Sequence, residues 1–297
     1  MMINAENLAL TYKGFQTVYS EAHLAAPSHS ERIAMTVPSS GSDETYAWLG
    51  MFPQLREWIG PRHVNSLKAH GFTIKNRKFE STISVKREDI ADDKLGVFKP
   101  LLAEMGQSAK RHPDELIFDL LKSGFSARGF DGANFFAADH PVEIAGKKTP
   151  TSNFQAGTSP AWFLLDTSRA IRPIIWQERE KYEFQALDDT NSKYVFVNDE
   201  YLYGVRARVN AGFGLWQLAF ASKAALNESN YAAARAAMMS FKSDGGRILG
   251  VTPTVMVVPP QLESAALYLL NTEHSDGGGS NPWKGTAELI VTPYVAE

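Results

Sequence analysis

Leu8, Tyr12, Phe15 and Tyr19 recur three or four residues apart over residues 4–25, the spacing of one face of an α-helix. The stretch that follows, AAPSHSERIAMTVPSSGSDE, is rich in Pro, Ser and Gly and reads as a loose tether, so this helix is an arm and not a domain. A tethered helix with a single apolar stripe must dock to be stable, on its own body or on a neighbouring molecule. Residues 71–88, GFTIKNRKFESTISVKRE, change rhythm to period two. Phe79, Ile83 and Val85 share one face, Glu80, Thr82, Ser84 and Lys86 take the other, and Asn76-Arg77-Lys78 supplies a reversal. A long hairpin is predicted, either lying on another surface, because a lone two-stranded ribbon is marginal in water, or forming an ordinary part of its own sheet.

From Asp92 to Lys122 the helical period returns, with Val97, Leu101, Met105, Ala109, Leu116 and Leu120 on one side of a long helix. Asp92 or Asp93 can cap its start, Gly124 can stop it, and Pro113 either kinks one helix or opens a second. Between Trp162 and Phe220 the runs WFLL, PIIW, YVFV, YGVRARV and FGLWQLAFA predict an antiparallel sheet with short connections. The texture then becomes α/β. Asn227 or Ser229 caps a helix striped by Tyr231, Ala234, Met238 and Phe241, and Gly245-Gly246 ends it. TVMVV is a buried strand, Pro260 opens a helix carrying Leu262, Ala266 and Leu269, and ELIVTPYV closes the chain as a strand. No internal repeat is visible, and Ser275–Ser280 reads as a flexible loop.

Composition narrows the class. With 297 residues, 44% hydrophobic and 21% charged, the chain can bury one large core or two modest ones. No apolar run reaches the roughly 20 residues of a membrane span, and the amino terminus lacks the basic start and apolar block of a secretory signal, so the chain is expected to stay in the cytosol. Zero cysteines excludes disulfides and thiolate metal sites. A net charge of −3 gives no overall attraction to phosphate, leaving nonspecific nucleic-acid contact at most.

The common enzyme signatures, GxxxxGK[ST], GxSxG, HExxH and a strand-to-helix GxGxxG, are missing. Asp139-His140 is the remaining candidate for a metal site or proton relay, but neighbours in an extended segment face opposite ways. Asp92-Asp93 and Asp188-Asp189 lack the further oxygen ligands of a calcium loop and read as caps or solvated turns. Lys75, Arg77, Lys78, Lys86 and Arg87, with Phe72 and Phe79 between them, outline a basic ribbon of the kind that binds nucleic acid. Glu80, Glu88 and Asp89 dilute its field and favour salt bridges between subunits. Met238-Met239 fits helix packing. The sequence nominates no catalytic, cofactor-binding or metal-ligating residue.

Three segments carry a resemblance: AWFLLDTSRAIRPIIWQERE, YGVRARVNAGFGLWQLAFAS and NPWKGTAELIVTPYV. Together with ENLALTYKGFQTVY, SVKREDIADDKLGVF and GFDGANFFAADHP, in that order, they resemble the major head subunit of Mu-like phages and prophages, the Mu gpT family. The resemblance implies an α+β fold of the tailed-phage major capsid type, named for phage HK ninety-seven. Its parts would be an amino-terminal arm (1–58), an extended hairpin called the E-loop (59–90) and a peripheral domain (91–221) with a spine helix (92–123). An axial domain would take residues 222–297, with a further part near 125–160. One departure is that the helix-strand-helix unit at 229–271 follows the strand-rich block, where the fold's usual order puts it soon after the spine helix. The implied function is a structural one: hexamers and pentamers forming an icosahedral shell around double-stranded DNA in the virion, assembled in the host cytoplasm.

Implied partners are copies of the chain, a separate scaffolding protein, a portal, a maturation protease and a decoration protein. No cleaved scaffolding segment is expected before its E-loop. Lys75, Lys78 and Asn76 lie where some shells form isopeptide cross-links. Two alternatives are an encapsulin-like nanocompartment shell and a metal-dependent hydrolase using His140.

Overall fold

In the computed structural model, residues 2–50, 71–144, 146–274 and 279–296 are described. From the amino end come helix α1 (Ala5–Ala25), short helix α2 (Ser30–Ile33), strands β1 (Ala34–Pro38), β2 (Asp43–Tyr46), β3 (Phe72–Lys75) and β4 (Arg77–Lys86), and helices α3 (Arg87–Ala91) and α4 (Lys99–Ser123). Strands β5 (His140–Ile144), β6 (Lys147–Thr151), β7 (Phe154–Gln155), β8 (Trp162–Leu165) and β9 (Ile174–Leu187) follow. Helix α5 (Lys193–Asn198) leads into β10 (Glu200–Phe213), β11 (Ala219–Ser222), helix α6 (Glu228–Met239), β12 (Val255–Val258), helix α7 (Glu263–Asn271) and β13 (Glu288–Val291).

Among the described residues, β1-β9-β10-β4 form a four-stranded sheet and β13-β12-β8-β11-β7 a five-stranded one, while β2-β3 and β5-β6 are two-stranded ribbons. The strand-rich stretch from Trp162 to Phe220 therefore divides between two sheets. WFLL and AFAS pair with each other and WFLL with β12, burying all four residues of each strand, whereas PIIW and YGVRARV enter the four-stranded sheet. YVFV, predicted as a strand, is helical instead, because Ser192 accepts a hydrogen bond from the Val195 N–H at 3.3 Å and starts a turn there.

The hairpin predicted over 71–88 also does not form. β3 pairs with β2, while β4 pairs along its full length with β10, from Glu200↔Lys86 to Val209↔Arg77. Asn76, taken as the start of a reversal, is the crossing point between two sheets. A period-two pattern fixes which face is buried but not which strand lies alongside.

α1 docks on its own body. Asn4 caps it by accepting from the Asn7 N–H at 2.8 Å, and Leu8, Phe15 and Tyr19 are buried against α4 and the four-stranded sheet. Phe15 meets Tyr203 edge to face at 4.9 Å and Tyr19 stacks on Phe184 at 5.1 Å. Burying three such side chains is worth about 2 kcal/mol each, enough to hold a helix that alone in water is marginal.

α4 begins later than predicted. Asp92 ends α3, Asp93 turns the chain at φ 59, and Phe98 precedes the helix without a side-chain cap. Pro113 lies inside the helix without ending it, and Gly124 follows its last turn. The buried stripe is Leu102, Met105, Gly106, Ala109, Ile117, Phe118 and Leu121, so Val97 and Leu101 face solvent and the carboxyl-terminal half is rotated by one residue from the expected face.

Gly106 sits where α1 crosses α4. A Cβ there would collide with the Tyr19 carbonyl oxygen and lie 3.1 Å from the His23 nitrogen, so only glycine permits this separation. Gly106→Ala should force the two helices apart and cost about 1–3 kcal/mol in urea denaturation, with proteolysis cutting first between α1 and β1. A variant of unchanged stability would show that the crossing is not tightly packed.

Candidate assembly surfaces

The β2-β3 ribbon is anchored by a buried glutamine. Gln177 on β9 accepts from the Tyr46 hydroxyl at 2.8 Å, and its amide donates to the Ile74 carbonyl at 3.0 Å and to Asn76 Oδ1 at 2.9 Å. Asn76 in turn donates to Ser39 Oγ and the Gly41 carbonyl. Glu44 accepts from the Ser40 and Gly41 N–H groups and from both serine hydroxyls, and these bonds, the Ser40 backbone first, hold its carboxyl below the usual range. A polar network whose centre, Gln177 and Tyr46, is buried and hydrogen-bonded fixes the angle at which the ribbon leaves the body. The residues joining β2 to β3 include 51–70, outside the described residues, as are 59–70 of the predicted E-loop.

A second polar joint lies where α1, α4 and β9 meet. The Tyr182 hydroxyl stands 2.5 Å from His112 Nδ1. Burial first, then the neighbouring phenol and carboxylates, push the Tyr182 hydroxyl far up, so it keeps its proton and donates. His112 is held below its ordinary 6.5 by burial and then by Arg77, and His23 by burial and then by Lys110. His23, Lys110, Glu31, Glu178, Trp176 and Tyr182 line a cavity of about 160 Å³ beside Pro113. Nearby, Asp114 accepts from the Ser28 hydroxyl and the His29 and Ser30 N–H groups, clamping the start of α2 to the long helix.

The sequence candidates for chemistry fall elsewhere. His140 is fully buried, stacked on Trp216 at 3.9 Å, with Nδ1 2.6 Å from Asp131 Oδ2 and Nε2 3.1 Å from Asn153 Oδ1. Its carboxylate partner is thus nine residues away and not the adjacent, exposed Asp139. Asn153 also donates to the Phe135 carbonyl and accepts from the Ala137 N–H. The group is a polar knot closing the 125–153 loops, sealed from any substrate.

Asp189 accepts from the Asn191 N–H in a turn, and Asp92 pairs with Lys94 at 3.1 Å. Among the described residues no three His, Asp or Glu side chains converge as a metal site. The basic ribbon is divided within one chain: Arg87 faces Asp199 at 4.0 Å, Lys86 faces Glu88 at 3.8 Å, and Arg77 lies over the Phe79 ring at 5.0 Å. Gln177, Asn153, Asp131 and Gly106 were not singled out from sequence. An isolated glycine inside a helical pattern was the one signal available.

Among the described residues the geometry is that of a packed body with a projecting ribbon, its one His–carboxylate pair buried inside. Comparison with known proteins decides what such a body is. The profile of the Mu-like prophage major head subunit gpT family matches residues 8–295. The chain belongs to that family.

The major capsid protein of Escherichia phage Mu is 45% identical over 280 residues, covering 91% of this chain and 92% of that protein. The FluMu prophage major head subunit of Haemophilus influenzae is 39% identical over 296 residues, covering 96% of each. The procapsid subunit of bacteriophage JBD30 superposes with a TM-score of 0.88 at 43% identity, covering 98% of this chain and all of that one. The subunit of the JBD30 capsid gives 0.78 at 32% identity, covering 91% of this chain and 92% of that one. This head subunit therefore has the α+β tailed-phage capsid fold, is a structural capsid protein of the virion and not an enzyme, and assembles with its own copies into a shell. No observation favours the nanocompartment or hydrolase alternatives.

The two depressed histidines give the head subunit a pH signature. The folded subunit resists protons that the unfolded chain accepts at the ordinary value of 6.5. Their contribution is fully present above that pH and is lost as pH falls below it, through the lower folded values. The melting temperature should decline from pH 6.5 to 5. His112→Gln keeps an acceptor for Tyr182 but cannot take a proton, and its slope should be shallower. Identical slopes would remove this role for His112.

Proposed function

We propose that this chain forms hexamers and pentamers that close into an icosahedral head enclosing double-stranded DNA. Assembly takes place in the host cytoplasm with a separate scaffolding protein, a portal and a maturation protease, and a decoration protein binds the outer surface. The observation that carries this reading is the match to the JBD30 procapsid subunit over 98% of the chain. Contact with the packaged DNA is nonspecific, in keeping with a net charge of −3.

Within the subunit, the pairing of the strands supports an assignment of parts that differs from divisions at residues 58, 90 and 221. α1 and α2 are the arm, α4 is the spine helix, and the β2-β3 ribbon is the described part of the E-loop. The four-stranded sheet under α4 is the peripheral domain. The five-stranded sheet with α6 and α7 is the axial domain, fed by 125–165 and 216–296. The Asn76 amide is engaged within its own chain by Ser39, Gly41 and Gln177, which disfavours it as a cross-link acceptor.

Negative-stain electron microscopy and light scattering of the purified protein over a concentration series, with and without scaffold, test the reading. Rings of five or six, tubes or closed shells are expected. A monomer or dimer under every condition, scaffold included, would contradict it. Boiled mature heads should run as one band near 32.8 kDa, and a ladder would restore cross-linking.

A further inference from the structure

Four segments distant in sequence meet at His140 on β5. Asp131 comes from the stretch after α4, Asn153 from the stretch before β7, and Trp216 from the short turn before β11. The imidazole is fully buried and the Asp131 side chain only 10% exposed, so the hydrogen bonds of the ring must be satisfied within the protein.

The backbone decides which way the Asn153 amide points. Its Nδ2 lies 2.8, 3.4 and 3.3 Å from the carbonyl oxygens of Phe135, Trp216 and Ala219, and its Oδ1 accepts from the Ala137 N–H at 2.9 Å. Reversing the amide would set an oxygen against three oxygens and an N–H against an N–H. The atom facing His140 Nε2 at 3.1 Å is therefore the Asn153 oxygen, and Nε2 must carry a hydrogen. On the other side of the ring Nδ1 stands 2.6 Å from Asp131 Oδ2, while Asp131 Oδ1 accepts from the Ala133 N–H.

A neutral imidazole has one donor and one acceptor. With its hydrogen on Nε2, a neutral ring would press the Nδ1 lone pair against a carboxylate oxygen in a buried site. A second ring proton converts that contact into a charge-assisted hydrogen bond. The Trp216 ring, within 9° of parallel at 3.9 Å, offers its negative face to the resulting cation, and Phe241 packs behind Trp216. Asp131 is the one charged group paired with the ring among the described residues, and Asp139, beside His140 in sequence, is exposed.

We propose that the knot is a proton-operated lock: His140 is a buried imidazolium held between Asp131 and Asn153, and the joint between the 125–153 loops and the five-stranded sheet closes only with that proton bound. The proton comes from solvent as the joint closes and returns there as it opens. A histidine of the unfolded chain has shed it above the ordinary value of 6.5. Each pH unit above that value thus lowers the closing equilibrium about tenfold, the opposite sign to the effect of His23 and His112. The lock belongs to the single subunit and does not depend on how copies assemble.

Nitrogen-15 spectra of the free subunit, labelled at its 7 histidines and recorded at pH 8, test the proposal, with the His140 ring assigned by its contact with Trp216. Both of its nitrogens should be protonated, where an exposed histidine shows one. Asp131→Asn offers an amide hydrogen to Nδ1 in the same space, so in that variant the ring should be neutral and protonated on Nε2 alone. Hydrogen-exchange protection factors of the Ala137 and Asn153 amides, both bonded inside the knot, should fall about tenfold per pH unit from 6.5 to 8.5 in the wild type and stay level in Asp131→Asn. A neutral His140 ring in the wild type at pH 8 overturns the lock, as does wild-type protection that does not change with pH. If Asp131→Asn does not fold, the wild-type spectrum and protection factors decide the matter alone.

Discussion

Everything in this subunit depends on one helix lying along one antiparallel pair. α4 contributes Leu102, Met105 and Ala109 to one apolar cluster and Ile117, Phe118 and Leu121 to another. β9 and β10 do the same, with Phe184, Tyr201, Tyr203 and Val205 in the first and Ile174, Ile175, Val209, Ala211 and Phe213 in the second. All three elements run through both clusters, the β9–β10 pairing shifting register between Arg206 and Val209 where one gives way to the other. The two cores are thereby fixed to one beam, and close-packed interiors transmit displacement along such a beam instead of absorbing it.

The projections draw their geometry from that beam. Gln177 on β9 holds the root of the β2-β3 ribbon, Asp114 on α4 holds the turn into α2, and Gly106 on α4 admits α1 at close range. Each is a single residue at which an arm meets the body. A shell protein needs this division, because extended elements can reach neighbours only if their starting angles are set by something stiff. The buried polar groups are therefore tools of orientation. Replacing them with apolar residues of similar volume could keep stability while losing direction.

Elements with strong local signals were legible in the sequence. The α1 stripe, the Asn227 cap accepting from Asn230, the buried strand at Val255–Val258 and the stop at Gly124 all follow from side-chain periodicity and capping chemistry. Pairing partners were not legible. β3 and β4 adjoin in sequence with the alternation of a hairpin, yet β3 bonds back to β2 and β4 to β10 far along the chain, with Ile74 and Val85 buried in different clusters. YVFV carried strand propensity that a serine cap and tertiary context overrode. His140 was noticed for its chemistry, but its partners Asp131 and Asn153 come together only in the fold. The family resemblance supplied what residue patterns could not, since assembly is written in the order of many weak segments and not in any one motif.

The central claim is that a stiff beam carries projections whose partners are other copies. Hydrogen exchange of the free subunit and of the assembled head tests it most directly. Slow exchange along α4, β9 and β10 in both states, with new protection on assembly in β2 and β3, is the predicted result. Unchanged exchange in β2 and β3, or a beam that becomes protected only in the shell, would contradict it.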